Sequence, residues 1–258
     1  MGEKENPARR LTDEELADLQ VVVAAELNLD TIAAMEANFP KEQLPEWDLI
    51  KERIRDGFIS MHELRSRATG ELLSSRMIFD YPSRSRGEPQ FLLVSLVVTP
   101  DGSGADSKRS KSKGYGSYLR EKSFAISKAQ KPHALALVAE RESPRGVELA
   151  SDQRVKRASW MTRIGLNTVE GFHYLIPPLV PRAIALARYV PVAEREGPVQ
   201  EADLMVFRFD GKKQISGKAL KSIVERLYLS GYAVRAQDEF LQKMLASIDE
   251  SRDYVLTN

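Results

Sequence analysis

A stretch near the middle of the chain changes from the pattern of a strand to that of a helix across one basic, glycine-containing loop. It reads LVSLVVTPDGSGADSKRSKSKGYGSYLREKSFAISKA and runs from Leu93 to Ala129. The β-rich part ends at Pro100, the helical part begins near Gly116, and a second apolar strand, HALALVAE, follows. Two strands joined through a helix pair in parallel by a right-handed crossover, so this unit predicts an α/β fold.

The remaining segments add hairpin strands and further helices. The segment LTDEELADLQVVVAAELNLDTIAAMEANFP has helical spacing and opens on a capping-box pattern of Thr12 and Glu15, so it predicts one helix. We expect a second helix in EWDLIKERIRDG, and a hairpin of FISMHELRS and LLSSRMIFDY around Gly70. Later segments predict a helix in GVELASDQRVKRASWMTRIG, strands in FHYLIPPLV and ADLMVFRFD, and two helical pieces over residues 211–258. This order predicts a mixed sheet with helices on both faces.

The composition excludes several kinds of site. Cysteine is absent from the 258 residues, which excludes disulfides, thiolate metal ligands and a cysteine nucleophile. The three histidines are far apart without metal-ligand spacing, and the Gly-x-Ser-x-Gly motif of serine hydrolases is missing. The net charge of +1 gives no overall attraction for nucleic acid or membrane, so any anion site must be local.

The hydropathy pattern predicts no membrane segment. No apolar run approaches the roughly 18 residues that span a bilayer. Residues 1–10 contain no apolar segment typical of a secretory leader. We therefore expect a cytoplasmic protein whose N-terminus, residues 1–11, is flexible.

The basic loop before the helix is the clearest candidate for a local anion site. A helix N-terminus presents backbone N–H groups and the positive end of a dipole, and glycines let a ligand approach the backbone. The loop is not a Walker loop, because no Lys-Ser or Lys-Thr follows Gly114 or Gly116. It is not a dinucleotide fingerprint either, because Leu119 stands where the third glycine is needed. On composition alone, a solvated surface turn is an equal alternative.

This loop and its neighbours resemble the acyl-CoA-binding motif of the GNAT acyltransferase superfamily. That motif runs from an apolar strand, often ending in Val-x-Pro, into [R/Q]-x-x-G-x-[G/A] at a helix start. Here Val98-Thr99-Pro100 matches the strand end. The sequence KSKGYG over residues 111–116 matches the loop, with lysine in place of arginine or glutamine and a longer span before it. Downstream, SWMTRIGL is similar to the family's fourth-helix segment and DLMVFRF to its last strand.

The resemblance implies a fold class and a domain division. The expected fold is α/β, with a GNAT-like mixed, mostly antiparallel sheet flanked by helices and a C-terminal helical extension. The acyltransferase domain is expected over residues 12–210 and the extension over residues 211–258.

The resemblance also implies how acyl-CoA binds. The backbone amides of residues 112–117 are expected to hold the pyrophosphate of coenzyme A, and the strand ending near Val98 to pair with the pantetheine arm. Lys108 and Arg109 are candidates for the 3′-phosphate, or serve only the solubility of the loop. The co-substrate is acetyl-CoA or another acyl-CoA, with no metal. The residues assigned to this binding are Leu96, Val97, Val98, Lys111, Ser112, Lys113, Gly114, Tyr115, Gly116 and Ser117.

Acyl transfer to an amine needs a base, because only the neutral amine attacks the thioester. Glu140 is the first candidate, since it stands at the end of the HALALVAE strand. Glu142 and Glu63 are alternatives, and a solvated surface carboxylate is the simpler interpretation of each. Ser95, inside the predicted pantetheine strand, could organise water or be a small core residue.

The acid that protonates the departing thiolate is harder to assign. Many members of the family use a tyrosine of the fourth helix, but the matching position here is Met161, which cannot donate a proton. Tyr174 and Tyr115 are candidate substitutes, and packing is the commoner role for each.

The sequence therefore predicts an N-acyltransferase, with acetyl transfer expected first, that moves an acyl group from acyl-CoA to an amine acceptor in a ternary complex. The alternative is a catalytically weak GNAT-fold module that contacts a protein or nucleic-acid partner through its C-terminal helices. A direct nucleic-acid contact by SKRSKSKG ranks below both, because the cluster is small and aromatic residues are nearly absent from it. The C-terminal helices are expected first to cap the sheet, because an amphipathic helix needs a face to bury against; a homodimer contact and closure over the acceptor site are the alternatives.

Overall fold

The computed structural model of the chain describes residues 11–39, 44–100, 114–143, 155, 159, 161–163, 165–180 and 188–257. Contacts divide the chain into two compact units. The first unit comprises Met1–Asp80 and Leu93–Pro132, and the second comprises Tyr81–Leu92 and His133–Asn258.

The first unit is a set of strands with helices before and after them. Its strands follow the order β1-β2-β3-β4, and β2 is antiparallel to both β1 and β3. The last residue of β3 and the first two of β4 belong to the second unit. The elements are α1 (Asp13–Asp18), β1 (Leu19–Ala24), α2 (Leu29–Asn38), α3 (Trp47–Arg55), β2 (Ile59–Ser66), β3 (Leu72–Tyr81), β4 (Phe91–Val98) and α4 (Tyr115–Gln130).

The prediction of one helix over the first segment is wrong, because the segment folds as helix, strand and helix. The capping box is confirmed: Thr12 Oγ1 accepts from the Glu15 amide, and the Glu15 carboxylate accepts from the Thr12 amide. The helix that it opens ends after six residues. The three consecutive valines that follow favour a strand, and Val22 pairs opposite Glu63 of β2. Apolar spacing alone did not separate these two outcomes.

Both faces of the β2–β3 hairpin are covered by helices. Met61 and Met77 are directly opposite each other in the register and pack with Met35 and Ile54, which lie on helices α2 and α3. Leu64 is three residues after Met61 on β2, so its side chain lies on the other face of the strand, where it packs with helix α4. Side chains alternate across a strand, so this pattern buries both faces of the hairpin.

The second unit contains the other strands and the C-terminal helices. Its strands follow the order β5-β8-β6-β10-β9, with β7 also paired to β8, and the pairs of β8 with β5, β6 and β7 are antiparallel. A 3₁₀ helix covers Val192–Glu194 and a π-helical turn covers Leu227–Gly231. The elements are β5 (Ala136–Glu142), β6 (Asn167–Val169), β7 (Tyr174–Ile176), β8 (Gln200–Arg208), β9 (Gln214–Ser216), α5 (Gly217–Arg226), α6 (Glu239–Ala246) and β10 (Asp253–Thr257).

The C-terminal segment is built into the second unit by strands as well as helices. The two predicted helices are present as α5 and α6, and two strands that we did not predict, β9 and β10, flank them. Strand β10 pairs with β6 through Leu256 and Val169. Arg226 is 2% exposed and donates to the carbonyls of Pro89 and Pro82 at 2.8 and 2.5 Å.

The predicted fold class is confirmed as α/β, with a mostly antiparallel arrangement of strands flanked by helices. The predicted parallel crossover between the strands before and after α4 stays a prediction, as does the division at residue 210. The helix predicted within GVELASDQRVKRASWMTRIG lies largely outside the described residues.

Candidate functional site

Glu140 and Tyr174 are brought together on one face of the strands around β8. Glu140 on β5 is directly opposite Leu204 of β8, and Tyr174 on β7 is directly opposite Ala202 of β8. Residues that are opposite each other, or two apart on one strand, point to the same face. Since β5 and β7 both pair with β8, the tyrosine reaches across β8, a span of about 10 Å between alternate strands.

The Glu140 carboxylate accepts hydrogen bonds from two tyrosine hydroxyls. Tyr174 donates to Oε1, and Tyr232, from the turn after α5, donates to Oε2 at 2.7 Å. Burial raises the pKa of Glu140 above its ordinary value, while the two donated hydrogen bonds act in the opposite direction. Burial also raises the pKa of Tyr174 and Tyr232 well above 10, so both hydroxyls keep their protons and act as donors at neutral pH.

A third tyrosine completes the aromatic shell of this carboxylate. Tyr228 packs edge-on against Tyr174, with ring centroids 5.8 Å apart, and its ring centroid is also 5.8 Å from that of Tyr232. Its hydroxyl donates to the Leu175 carbonyl and not to Glu140. We call Tyr174, Tyr228 and Tyr232 the tyrosine cluster.

The residue after Glu140 anchors the end of β5. Arg141 is directly opposite Asp203 of β8 and donates to its carboxylate at 2.7 and 3.1 Å. Both side chains are less than 10% exposed. Both nitrogens donate to the same oxygen, Oδ2, and this buried, charge-assisted ion pair fixes the strand that carries Glu140.

The helix predicted after the basic loop is present as α4. Gly114 precedes the helix in the left-handed conformation, with φ of 82°, and its carbonyl accepts from the Tyr118 amide at 3.0 Å. A β-carbon on Gly116 would be 3.4 Å from Thr99 Oγ1, so the helix start lies close to the chain just after β4. The first amides of an α-helix have no acceptor within the helix, and they carry the positive end of its dipole.

The other predicted acyl-CoA residues have mixed outcomes. Val97 is partly exposed and Val98 is buried in β4, which also contains Leu96. The Val98 carbonyl accepts from Ser74 Oγ at 2.9 Å. The predictions for the basic loop, namely Lys108, Arg109, Lys111, Ser112 and Lys113, lie outside the described residues.

The other catalytic candidates, Ser95 and Tyr115, are partly buried, and Met161 is buried. Ser95 is partly buried in β4 of the first unit, and its role stays a prediction. Tyr115 packs against the cluster of Leu19, Leu64 and Leu119, which fits the packing role that we weighed for it. Met161 is 9% exposed, so an apolar side chain occupies the position where the family often has a tyrosine.

Glu63, an alternative base, is a structural carboxylate. It is 0% exposed and accepts from Thr31 Oγ1 at 2.6 Å and from Arg65 Nε at 2.8 Å. The side-chain amide of Asn28 donates to both of its oxygens at 3.1 and 3.2 Å. The donors come from α2, from the residue just before α2, and from β2 itself. The Glu63 carboxylate therefore links helix α2 to the hairpin.

Sequence reasoning missed Tyr232. The only signal for it is the repeat of tyrosine at positions 228 and 232, one helical turn apart, in LYLSGY. That spacing resembles an ordinary apolar helix face, and nothing in it indicates a carboxylate 92 residues away along the chain.

The described ranges contain neither a metal-binding cluster of side chains nor a membrane-spanning helix. No group of three or more histidine, aspartate or glutamate side chains there could hold a metal ion. No helix there is long and apolar enough to cross a bilayer.

Comparison with known proteins gives structural relatives only. The sequence matches no protein-family model and no curated protein. Solved structures similar to this chain include Arabidopsis thaliana NAA60 in complex with acetyl-CoA, with a TM-score of 0.45, 10% identity, and coverage of 75% of this chain and 98% of that one. A Bacillus subtilis acetyltransferase in complex with CoA has a TM-score of 0.43 at 12% identity, with 74% and 99% of the two chains covered.

A third similar structure is a chimera of spermidine N-acetyltransferase SpeG from Vibrio cholerae with hSSAT. Its TM-score is 0.45 at 12% identity, with 74% of this chain and 95% of that chain covered. The second and third of these proteins are named as acetyltransferases, and the first is bound to acetyl-CoA. Similarity at this level carries no argument about function.

Proposed function

We propose that this chain is an N-acyltransferase of the GNAT type that moves an acyl group, acetyl in the first instance, from acyl-CoA to an amine acceptor. Two local features support the proposal. The first is the start of α4, and the second is the Glu140 carboxylate within the tyrosine cluster.

The observation that carries the proposal is the start of α4. A left-handed glycine, Gly114, turns the chain into the helix, and Gly116 follows in the first turn without a side chain. Backbone amides at such a helix start bind phosphate oxygens by direct hydrogen bonds and by the dipole. The pyrophosphate of coenzyme A is a ligand of this chemistry, and the pantetheine arm is assigned to β4.

Glu140 is the proposed base. The amine nitrogen forms a bond to the thioester carbonyl carbon, the carbon–sulfur bond breaks, and the proton lost by nitrogen passes to the Glu140 carboxylate. The thiolate takes up a proton from water and leaves as the thiol, and Glu140 returns its proton to water after the transfer, so atoms and charge balance. A carboxylate whose pKa is raised by burial is a stronger base than an ordinary one, which suits this role. Tyr174 orients the carboxylate through its hydrogen bond to Oε1.

Isothermal titration with coenzyme A and with acetyl-CoA tests the proposal. We expect binding that Gly114→Ala weakens about tenfold or more, because alanine disfavours the left-handed conformation and turns the first amides away from the ligand. Gly70→Ala is the matched control. Gly70 has φ of 73° in a turn with no atom within 4 Å of the added β-carbon, so it carries the same backbone cost away from α4.

Two outcomes would contradict the proposal. Folded wild-type protein that binds no coenzyme A in the millimolar range would refute it outright. Equal weakening by both glycine substitutions would refute the assignment to the start of α4. Binding without turnover, over a panel of amine acceptors, would instead favour the alternative of a catalytically weak binding module.

A further inference from the structure

Tyr232 is the one hydroxyl on Glu140 that comes from the C-terminal segment. Tyr174 belongs to β7, next to β8, whereas Tyr232 follows α5 and lies 92 residues after Glu140 in the chain. The two donors occupy different oxygens, Oε1 and Oε2. The carboxylate is therefore held from two sides by parts of the chain that are remote in sequence.

The backbone before Tyr232 departs from a regular helix. Residues Leu227–Gly231 form a π-helical turn, and the Tyr232 amide donates to the carbonyls of Leu227 at 3.2 Å and Tyr228 at 3.3 Å. One inserted residue rotates everything after it by about 100° relative to an α-helix. Such turns are rare and occur frequently at functional sites. Here the turn sets the direction in which Tyr232 leaves the helix.

The residue after Tyr232 is also strained. Ala233 has φ of 49°, and it is the one non-glycine residue with positive φ in the described part of the chain. Alanine disfavours this conformation, which persists only when the surroundings of the residue enforce it. Arg195, 8% exposed, donates to the Tyr232 carbonyl at 2.9 Å and to the Ala233 carbonyl at 3.2 Å. By binding both carbonyls, Arg195 stabilises this backbone conformation of Tyr232 and Ala233.

We propose that Tyr232 is a positioning residue of the catalytic centre, whose hydroxyl orients the Glu140 carboxylate and stabilises its ionised form. This inference rests on the proposed function, because it gives Glu140 the role of base. It makes the segment from α5 to β10 part of the reaction chemistry and not a separable extension. The π-helical turn and the Arg195 contacts are the means by which the hydroxyl is held in place.

The substitution Tyr232→Phe removes one hydrogen bond to a charged group and keeps the ring. We expect the midpoint of the Glu140 titration to rise by about one pH unit or more, because a hydrogen bond donated to the carboxylate favours the charged form. The acid limb of the kcat/KM profile is expected to move upward with it. Tyr228→Phe is the matched control, since its hydroxyl donates to the Leu175 carbonyl and it belongs to the same cluster.

The direct measurement is a pH titration of protein labelled with ¹³C at the glutamate carboxyl carbons, with Glu140→Gln used to assign the signal. A rise in Tyr232→Phe and an unchanged midpoint in Tyr228→Phe would support the inference. An unchanged midpoint in folded Tyr232→Phe, or an equal rise in both variants, would overturn it.

A second variant keeps the test decisive if Tyr232→Phe does not fold. Replacement of Tyr232 by 3,5-difluorotyrosine keeps the hydroxyl and makes it a stronger donor, so the Glu140 midpoint is expected to fall. A midpoint that does not fall would contradict the inference. The titration needs no turnover. An inactive wild-type protein would therefore remove the acyltransferase proposal, while the titration would still decide whether Tyr232 controls Glu140.

Discussion

Replacing Glu140 with glutamine should separate catalysis from stability in this protein. Glutamine has nearly the same shape, and its carbonyl oxygen can accept from one tyrosine while its amide donates to the oxygen of the other. Both hydroxyls that now bind the carboxylate keep a partner. The change therefore removes the charge and the base without opening a cavity.

The expected effect on stability follows from the direction of the pKa shift. The pKa of Glu140 is raised in the folded protein, so burial of the charge outweighs the two hydrogen bonds. A carboxyl with a raised pKa contributes its full stability below its unfolded pKa, and loses it as the pH rises through the folded value. At pH 7 the glutamine variant should therefore be as stable as wild type or slightly more so, within about 1 kcal/mol. Any gain in the free energy of unfolding of Glu140→Gln over wild type should disappear at acid pH, where the Glu140 carboxyl of the wild type is neutral.

The expected effect on activity is large. Loss of a general base costs about 10²–10⁴-fold in rate. The assay is thiol release from acetyl-CoA with an amine acceptor, and because the chain contains no cysteine, a thiol reagent has no background from the protein. Thermal unfolding is measured in parallel, where 1 kcal/mol corresponds to about 2–4 °C for a chain of this size.

Two results would refute this reasoning. Wild-type activity in folded Glu140→Gln would exclude Glu140 as the base. A fall in stability of several kcal/mol would show that the ionised carboxylate is a structural requirement and not a strained, functional group. Glu142→Gln, two residues along β5, is the matched comparison because it tests the alternative base in the same strand. A loss of activity there alone would move the role to Glu142.

Two further predictions concern stability. Gly217→Ala should destabilise the second unit by about 3 kcal/mol or more in chemical denaturation, because the added β-carbon would be 1.9 Å from the Asp249 carbonyl oxygen. Lys218 is exposed in the same helix turn, so the control Lys218→Ala should change the free energy of unfolding by less than about 0.5 kcal/mol. Equal effects of the two substitutions would contradict the prediction. Arg76→Met should raise the melting temperature, by the equivalent of about 1 kcal/mol or more, because Arg76 is 1% exposed and its Nε and Nη1 have no hydrogen-bond partner among the described residues. A lower melting temperature would show that the guanidinium is stabilising as it stands.

Parts of the candidate site carry signals that are local in the sequence. The start of α4 is one of them, since Gly114 adopts the left-handed conformation that glycine tolerates, just before the helix begins at Tyr115. The end of an apolar strand predicts Glu140 as a candidate base, and β5 extends to Glu142. Tyr174 is a candidate hydroxyl donor, but nothing in the sequence indicates its contact with Glu140.

The predictions of secondary structure were wrong or incomplete where strand pairing with a distant segment overrides the local sequence pattern. The run of valines in β1 fits the apolar spacing of a helix, but its β-branched side chains favour a strand once β2 is available to pair. Strands β9 and β10 are three and five residues long, too short for alternation to be recognised. Pairing with distant partners makes both into strands.

Features that depend on composition or on neighbouring residues can be derived without the fold: the capping box at Thr12, the glycine before α4, and the exclusion of cysteine chemistry. That Tyr174 and Tyr232 share the carboxylate of Glu140 becomes visible in the folded chain alone. The physical reason is that helix caps and turns are set by contacts within a few residues. The meeting of these three side chains depends instead on strand register across β8 and on the direction of one π-helical turn.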